Sequence, residues 1–143
     1  MKLGIIGSRT LNQKNVKEII SQVVTKSKNK IDEIVTGGAN GVDSIAEFYA
    51  KQNHIKCSVF LPQYETYGKR APLIRNNVIL ENSDAILAIW DGESKGTLYT
   101  INRAKKLGLK VMIVNLDPSK KYNDNIWNNN VGRLPKKLEA IKR

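Results

Sequence analysis

Residues 31–50 read IDEIVTGGANGVDSIAEFYA. Glu33–Thr36 is a short, largely apolar run with β-branched side chains, the pattern of a buried strand. Gly37 and Gly38 stop it. Val42, Ile45, Ala46, Tyr49 and Ala50 then recur at the i, i+3, i+4, i+7, i+8 spacing of one helix face. Strand, glycine turn and amphipathic helix make one βα unit, and the same succession recurs on either side of it.

Before it, Lys2–Ile6 predicts a strand ending at Gly7, and Val16, Ile19, Ile20, Val23 and Val24 mark a helix face. After it, Cys57–Leu61 predicts a third strand before Pro62. Residues 62–71, PQYETYGKRA, read as a loop, and Pro72 opens a third helix through about Asn82. Ala85–Trp90 is a fourth strand, Thr97–Leu107 a fourth helix closed by Gly108, and Lys110–Val114 a fifth strand. Five strands alternating with four helices predict an α/β fold: a mainly parallel five-stranded sheet with helices on both faces. Right-handed crossovers point to the doubly wound arrangement. In the order 3-2-1-4-5, strands 2, 1 and 4 are neighbours and the order reverses between 1 and 4, where such sheets bind ligands.

The chain has 143 residues, 41% hydrophobic and 26% charged, which excludes a disordered or fibrous chain. One domain is expected over residues 1–116. Residues 117–143 form an Asn- and Lys-rich basic tail with Trp127 as its large anchor and a short helix expected after Pro135. Cys57, the single cysteine, excludes an internal disulfide and a cysteine zinc cluster. Neither a metal nor a resident cofactor is expected. No run approaches the ~18 apolar residues of a membrane span, and the N-terminus is too weakly apolar for a signal peptide. The expectation is a soluble, cytoplasmic protein with no membrane partner. The net charge is +11, from 24 Lys and Arg against 13 Asp and Glu. Residues 1–30 contribute +6, residues 31–115 only +1 and residues 116–143 +4. Such a surface attracts nucleic acid and nucleotides alike.

Three strand ends carry the candidate chemistry. Strand 1 runs into Gly7-Ser8-Arg9-Thr10, strand 2 into Thr36-Gly37-Gly38-Ala39-Asn40-Gly41-Val42-Asp43, and strand 4 into Asp91-Gly92-Glu93-Ser94-Lys95-Gly96-Thr97. Glycine lets backbone N–H groups approach an anion, and a helix N-terminus adds unpaired donors and partial positive charge. Ser8, Ser94 and Thr97 add hydroxyls, and Arg9 can grip a phosphate with two hydrogen bonds. Together they predict a phosphate cradle. Gly37-Gly38-x-x-Gly41 is not the dinucleotide fingerprint, and no G-K-[ST] triphosphate loop is present. Asp43 reads either as a sugar ligand or as a helix cap. Lys69, Arg70 and Arg75, flanking Pro72, read either as a clamp or as a solvated basic face, and Trp90 either as a base-stacking ring or as core. His54 reads as surface and Cys57 as packing.

The order Gly7-Ser8-Arg9, Thr36-Gly37-Gly38-Ala39-x-Gly41-x-Asp43, Arg75-Asn76 and Ser94-x-Gly96-Thr97 resembles the SLOG superfamily over residues 3–114. That superfamily includes the Lonely Guy phosphoribohydrolases and the Rossmann-like domain of the DNA-processing protein DprA. The chain is most similar to its YspA-like (cpYpsA-related) branch. The resemblance implies a Rossmannoid fold, a homodimer and a nucleotide or nucleotide-derived ligand, such as an ADP-ribose-type signal. The ligand would be held by Gly7, Ser8, Arg9, Thr10, Gly37, Gly38, Gly41, Asp43, Lys69, Arg75, Asn76, Ser94, Gly96 and Thr97. Arg75 matches the catalytic arginine of the Lonely Guy enzymes, whereas Thr100 stands in place of their glutamate. A hydroxyl neither activates water nor stabilises oxocarbenium charge at neutral pH, so binding is expected ahead of N-glycosidase turnover. Similarity to DprA implies single-stranded DNA binding as the alternative. The net charge agrees with it, but the middle of the chain shows no aromatic stripe for base stacking.

Overall fold

The computed structural model describes residues 1–11 and 14–116. The expected basic tail and its short helix lie outside the described residues. The strands are β1 (Lys2–Gly7), β2 (Glu33–Thr36), β3 (Lys56–Val59), β4 (Ala85–Trp90) and β5 (Lys110–Asn115). The helices are α1 (Lys14–Lys26), α2 (Val42–Gln52), α3 (Tyr64–Tyr67), α4 (Ala71–Glu81) and α5 (Lys95–Lys106), with a 3-10 turn at Gly68–Arg70.

All four strand pairings are parallel, as the alternation predicts, and the sheet order is β3-β2-β1-β4-β5, the doubly wound order that places the reversal between β1 and β4. The helices cover both faces. Val16, Ile19, Ile20 and Val23 of α1 and Ala46, Tyr49 and Ala50 of α2 bury against Leu3, Ile5, Ile34, Leu87 and Val114. Ile79 and Leu80 of α4 and Ile101 and Ala104 of α5 bury against Ile6, Val35, Ile86, Ala88 and Val111 on the other face. Alternate residues of β1 and β4 thus serve two cores, which is why both runs are continuously apolar. Among the described residues no helix is long and apolar enough to cross a membrane.

Two departures from expectation concern residues 59–71. β3 ends at Val59 rather than Leu61, although the Phe60 N–H still donates to the Thr36 carbonyl at 2.9 Å. Pro62 has no N–H to continue the ladder, and Leu61 turns out to solvent. The expected ten-residue loop instead folds into α3 and the 3-10 turn, closed by N–H groups of Thr66 and Tyr67 donating to the Gln63 carbonyl.

Candidate functional site

β1, β2 and β4 are adjacent and parallel, so the segments that follow them meet at one rim of the sheet. The first and third are joined through Ser8. Its N–H donates to the Ile89 carbonyl at 3.1 Å, and its Oγ accepts the Asp91 N–H at 3.0 Å. The second is joined to the first at Gly41, which has a φ of 80° and would drive a Cβ to within 2.5 Å of the Arg9 carbonyl oxygen. Only glycine combines that backbone conformation with so close an approach.

The three segments and the start of α4 enclose a hollow of about 310 Å³. Of the residues expected at the site, Gly7, Arg9, Thr10, Asp43, Arg75, Asn76, Ser94, Gly96 and Thr97 line it. Ser8, Gly37, Gly38, Gly41 and Lys69 do not. Ser8 and Gly41 are spent joining the segments. Gly37 is the seat of Arg75: a Cβ there would fall 2.6 Å from Nη1 of that side chain. Gly38 lines a smaller hollow of about 230 Å³ beside Arg9, Asn40 and Tyr64. Lys69 is exposed on the 3-10 turn.

Arg75 is 6% exposed. Its Nη1 donates to the carbonyls of Gly37 and Phe60, and its Nε donates to Oδ1 of Asn76 at 2.8 Å. Burial lowers its pKa, against which the negative charge of Asp43 works. The other end of Asn76 donates to Oγ1 of Thr100 at 2.8 Å, and that hydroxyl in turn donates to the Gly96 carbonyl at 2.9 Å. Thr100 is therefore wholly buried and holds Asn76 in place, rather than facing the hollow.

Asp91, part of the segment after β4 but not among the expected ligand residues, also lines the hollow. Its Oδ1 accepts the N–H groups of Ser94 (2.7 Å) and Glu93 (2.9 Å), and Thr10 Oγ1 donates to its Oδ2 at 3.3 Å. Burial pushes its pKa up, but these N–H groups and the Ser8 and Thr10 hydroxyls outweigh it, so the carboxyl is held below its ordinary value. The acid-plus-Gly turn after strand 4 was the available signal. Ile6, Ala39, Pro72 and Leu73 also line the hollow and supply apolar wall. Trp90 is half-buried: it packs against the core on the α4–α5 side and its Nε1 donates to the Ser94 carbonyl at 3.0 Å. His54 is exposed, and Cys57 is half-buried against the α1–α2 side, with burial pushing its thiol up to about 11.

Asp43 does not cap α2 with its side chain; the N-cap is Gly41. Its Oδ2 instead accepts the Ala39 N–H at 3.2 Å, closing the glycine turn. Burial raises its pKa from 3.8 to about 6, in spite of that bond and the Arg75 charge. Folded Asp43 thus holds a proton more tightly than the unfolded chain does, and ionising it costs stability. As pH rises from 3.8 to about 6 this group makes the fold progressively less stable. Above that window the cost is complete at about 3 kcal/mol. Asp43→Asn removes the cost, so its melting temperature is expected to exceed the wild type's at pH 7.5 and to converge with it near pH 4. Calorimetry of the two proteins across pH isolates this group, because the carboxyls held low, Asp32, Glu33 and Asp91, act in the opposite sense in both.

Residues 1–64 match the family model of DNA recombination-mediator protein A. No curated protein matches the chain. Two solved structures share its fold. DNA processing protein A (DprA) of Streptococcus pneumoniae superposes with a TM-score of 0.65 at 21% identity, over 78% of this chain and 49% of that one. DNA processing protein A of Helicobacter pylori, whose structure concerns its mode of binding single-stranded DNA, superposes with a TM-score of 0.63 at 23% identity. That match covers 87% of this chain and 67% of the other. This chain therefore spans about half the length of the first and two-thirds of the second, and what it shares with both is their doubly wound, Rossmann-like fold.

Proposed function

We propose that the hollow at the sheet rim holds the phosphate backbone of single-stranded DNA. The observation that carries this reading is the position of Arg75. It borders the rim hollow and also two neighbouring hollows, of about 230 Å³ and 420 Å³, so a ligand longer than one nucleotide could pass from one to the next beside the same guanidinium. Arg9 lines the first two and is exposed. The match of residues 1–64 to the recombination-mediator family and the likeness to the Helicobacter pylori protein support the same reading.

Arg9 makes the sharper test because it is exposed, so its loss should leave the fold intact. Arg9→Ala is expected to weaken binding of a fluorescent oligothymidylate about tenfold or more, the value of one charge-assisted contact. It should also reduce the salt slope by about 0.7, one phosphate's share on a single strand, with an unchanged melting temperature. Wild-type affinity should rise with oligonucleotide length. Equal affinity in Arg9→Ala and wild type, at every length, would overturn the reading.

A free nucleotide is the second reading, favoured by the size of the rim hollow, which lies at the lower end of small-molecule sites of roughly 300–1,000 Å³. It is the reading that the resemblance to YspA-like proteins implies. A mononucleotide at a hundred times its Kd would stabilise the fold by about 2.7 kcal/mol, whereas the strand reading requires longer ligands for a comparable effect. Turnover of the Lonely Guy type has no support at Thr100, whose hydroxyl is committed to Asn76 and Gly96.

A further inference from the structure

The short helix α3 carries two aromatic side chains that its own packing does not use. Tyr64 is 54% exposed and Tyr67 45%, with Leu61 just ahead of them 66% exposed. No residue of α3 is buried. Three large apolar side chains thus stand exposed between Leu61 and Tyr67, close to the rim.

Two hollows open beside these rings. The smaller brings Tyr64 and Pro62 together with Arg9 and Arg75. The larger brings Tyr67 together with Leu61, Ile74 and again Arg75. Arg9 and Arg75 also line the rim hollow, so Tyr64 stands beside both cations that would hold a phosphate and Tyr67 beside Arg75. Lys69 and Arg70 follow on the next turn, both exposed. Across residues 61–76 three cations stand against a single acid, Glu65. Residues i and i+3 share one side of a helical turn about 5–6 Å apart, so the two rings can meet neighbouring groups of one ligand. A face that combines ring surface with positive charge fits a polyanion whose flat bases are unstacked.

We infer that Tyr64 and Tyr67 form a stacking platform for the bases of a single strand whose backbone passes Arg9 and Arg75. This inference rests on the single-strand reading of the rim hollow and adds to it the residues that would meet the bases. The phosphate cradle would then supply position, and the α3 rings affinity that any base can satisfy.

The test compares a thymidine hexamer with the same hexamer made abasic at every position, on wild type, Tyr64→Ser, Tyr67→Ser, both Tyr→Phe variants and Arg9→Ala. The aromatic positions are exposed, so the melting temperature should not change. Each Ser variant is expected to bind the thymidine hexamer about tenfold less tightly, within the five- to hundredfold range of one stacked base. The Phe variants should bind like wild type, and the Ser variants should match wild type on the abasic hexamer. If the Ser variants bind the thymidine hexamer like wild type while Arg9→Ala does not, the platform is overturned and the phosphate site stands. If Arg9→Ala is also without effect, both fall. If the Ser variants keep their DNA affinity but convert a concentration-dependent dimer to monomer in sedimentation, the patch is a contact between copies and the platform is overturned.

Discussion

Arg75→Ala is expected to lower single-strand affinity at least a hundredfold and to destabilise the fold in the same protein. The two effects share one cause. The guanidinium is buried between Gly37, Phe60 and Asn76, and its charge reaches three hollows at once. Its removal leaves the Gly37 carbonyl and Asn76 Oδ1 short of a donor, and leaves the buried Asp43 carboxylate without the positive charge that offsets it. Breaking such a buried polar cluster costs about 3 kcal/mol, which is roughly 10 °C in melting temperature for a domain of this size. Arg75→Lys should recover part of the binding and little of the stability, because an ammonium keeps the charge but cannot span the same acceptors as the planar fork. Anisotropy and calorimetry on the two variants read both quantities. Wild-type affinity in a folded Arg75→Ala would leave the guanidinium a purely internal brace.

The other large effect is expected at a residue with no side chain. Gly41→Ala should cost about 4 kcal/mol, a sum of roughly 1–3 kcal/mol for backbone strain and 1–3 kcal/mol for forced overlap. Gly41 has φ 80° and ψ −127°, and an added Cβ would lie 2.5 Å from the Arg9 carbonyl oxygen and 2.6 Å from that of Ser8. Both obstacles are backbone, so they cannot swing aside as a side-chain end would. The displaced segment is the one that carries Arg9 into the hollow, so binding should fall with stability. A chemical denaturation series measures the loss. A Gly41→Ala protein as stable as wild type would mean that the first two strand ends are not joined at this glycine.

Much of this was legible along the chain, because helix and strand periodicity report burial within a few residues. Ile19 and Ile20, or Ala46 and Ala50, announce their face locally, and the apolar runs Leu3–Ile6 and Ile86–Ile89 announce burial on two sides. Parallel strands with right-handed helical crossovers then leave few orders, and the observed one is among them. The site was legible only as a neighbourhood. Gly7, Gly37, Gly41 and Gly96 look alike in sequence, yet Gly7 and Gly96 line the hollow, Gly37 makes room for a side chain 38 residues away, and Gly41 seats on carbonyls from β1's end. Ser8 and Ser94 are equally alike, and only Ser94 lines the hollow. Tyr64 and Tyr67 escaped notice because their segment has too few residues for any period to emerge, and exposure is not a property of spacing.

The amino-acid sequence by itself determined the α/β class and the parallel sheet, and narrowed the strand order to a few, among them the one observed. Those follow from short-range patterning and from the right-handedness that nearly all such crossovers share. The tertiary structure alone decided which polar groups are consumed in joining the segments and which face the hollow. It also decided that Arg75 is buried beneath Gly37 and that Asp43 holds its proton to about pH 6. Hydrogen bonding, desolvation and charge depend on distances between residues remote in sequence, and only the folded chain sets those distances.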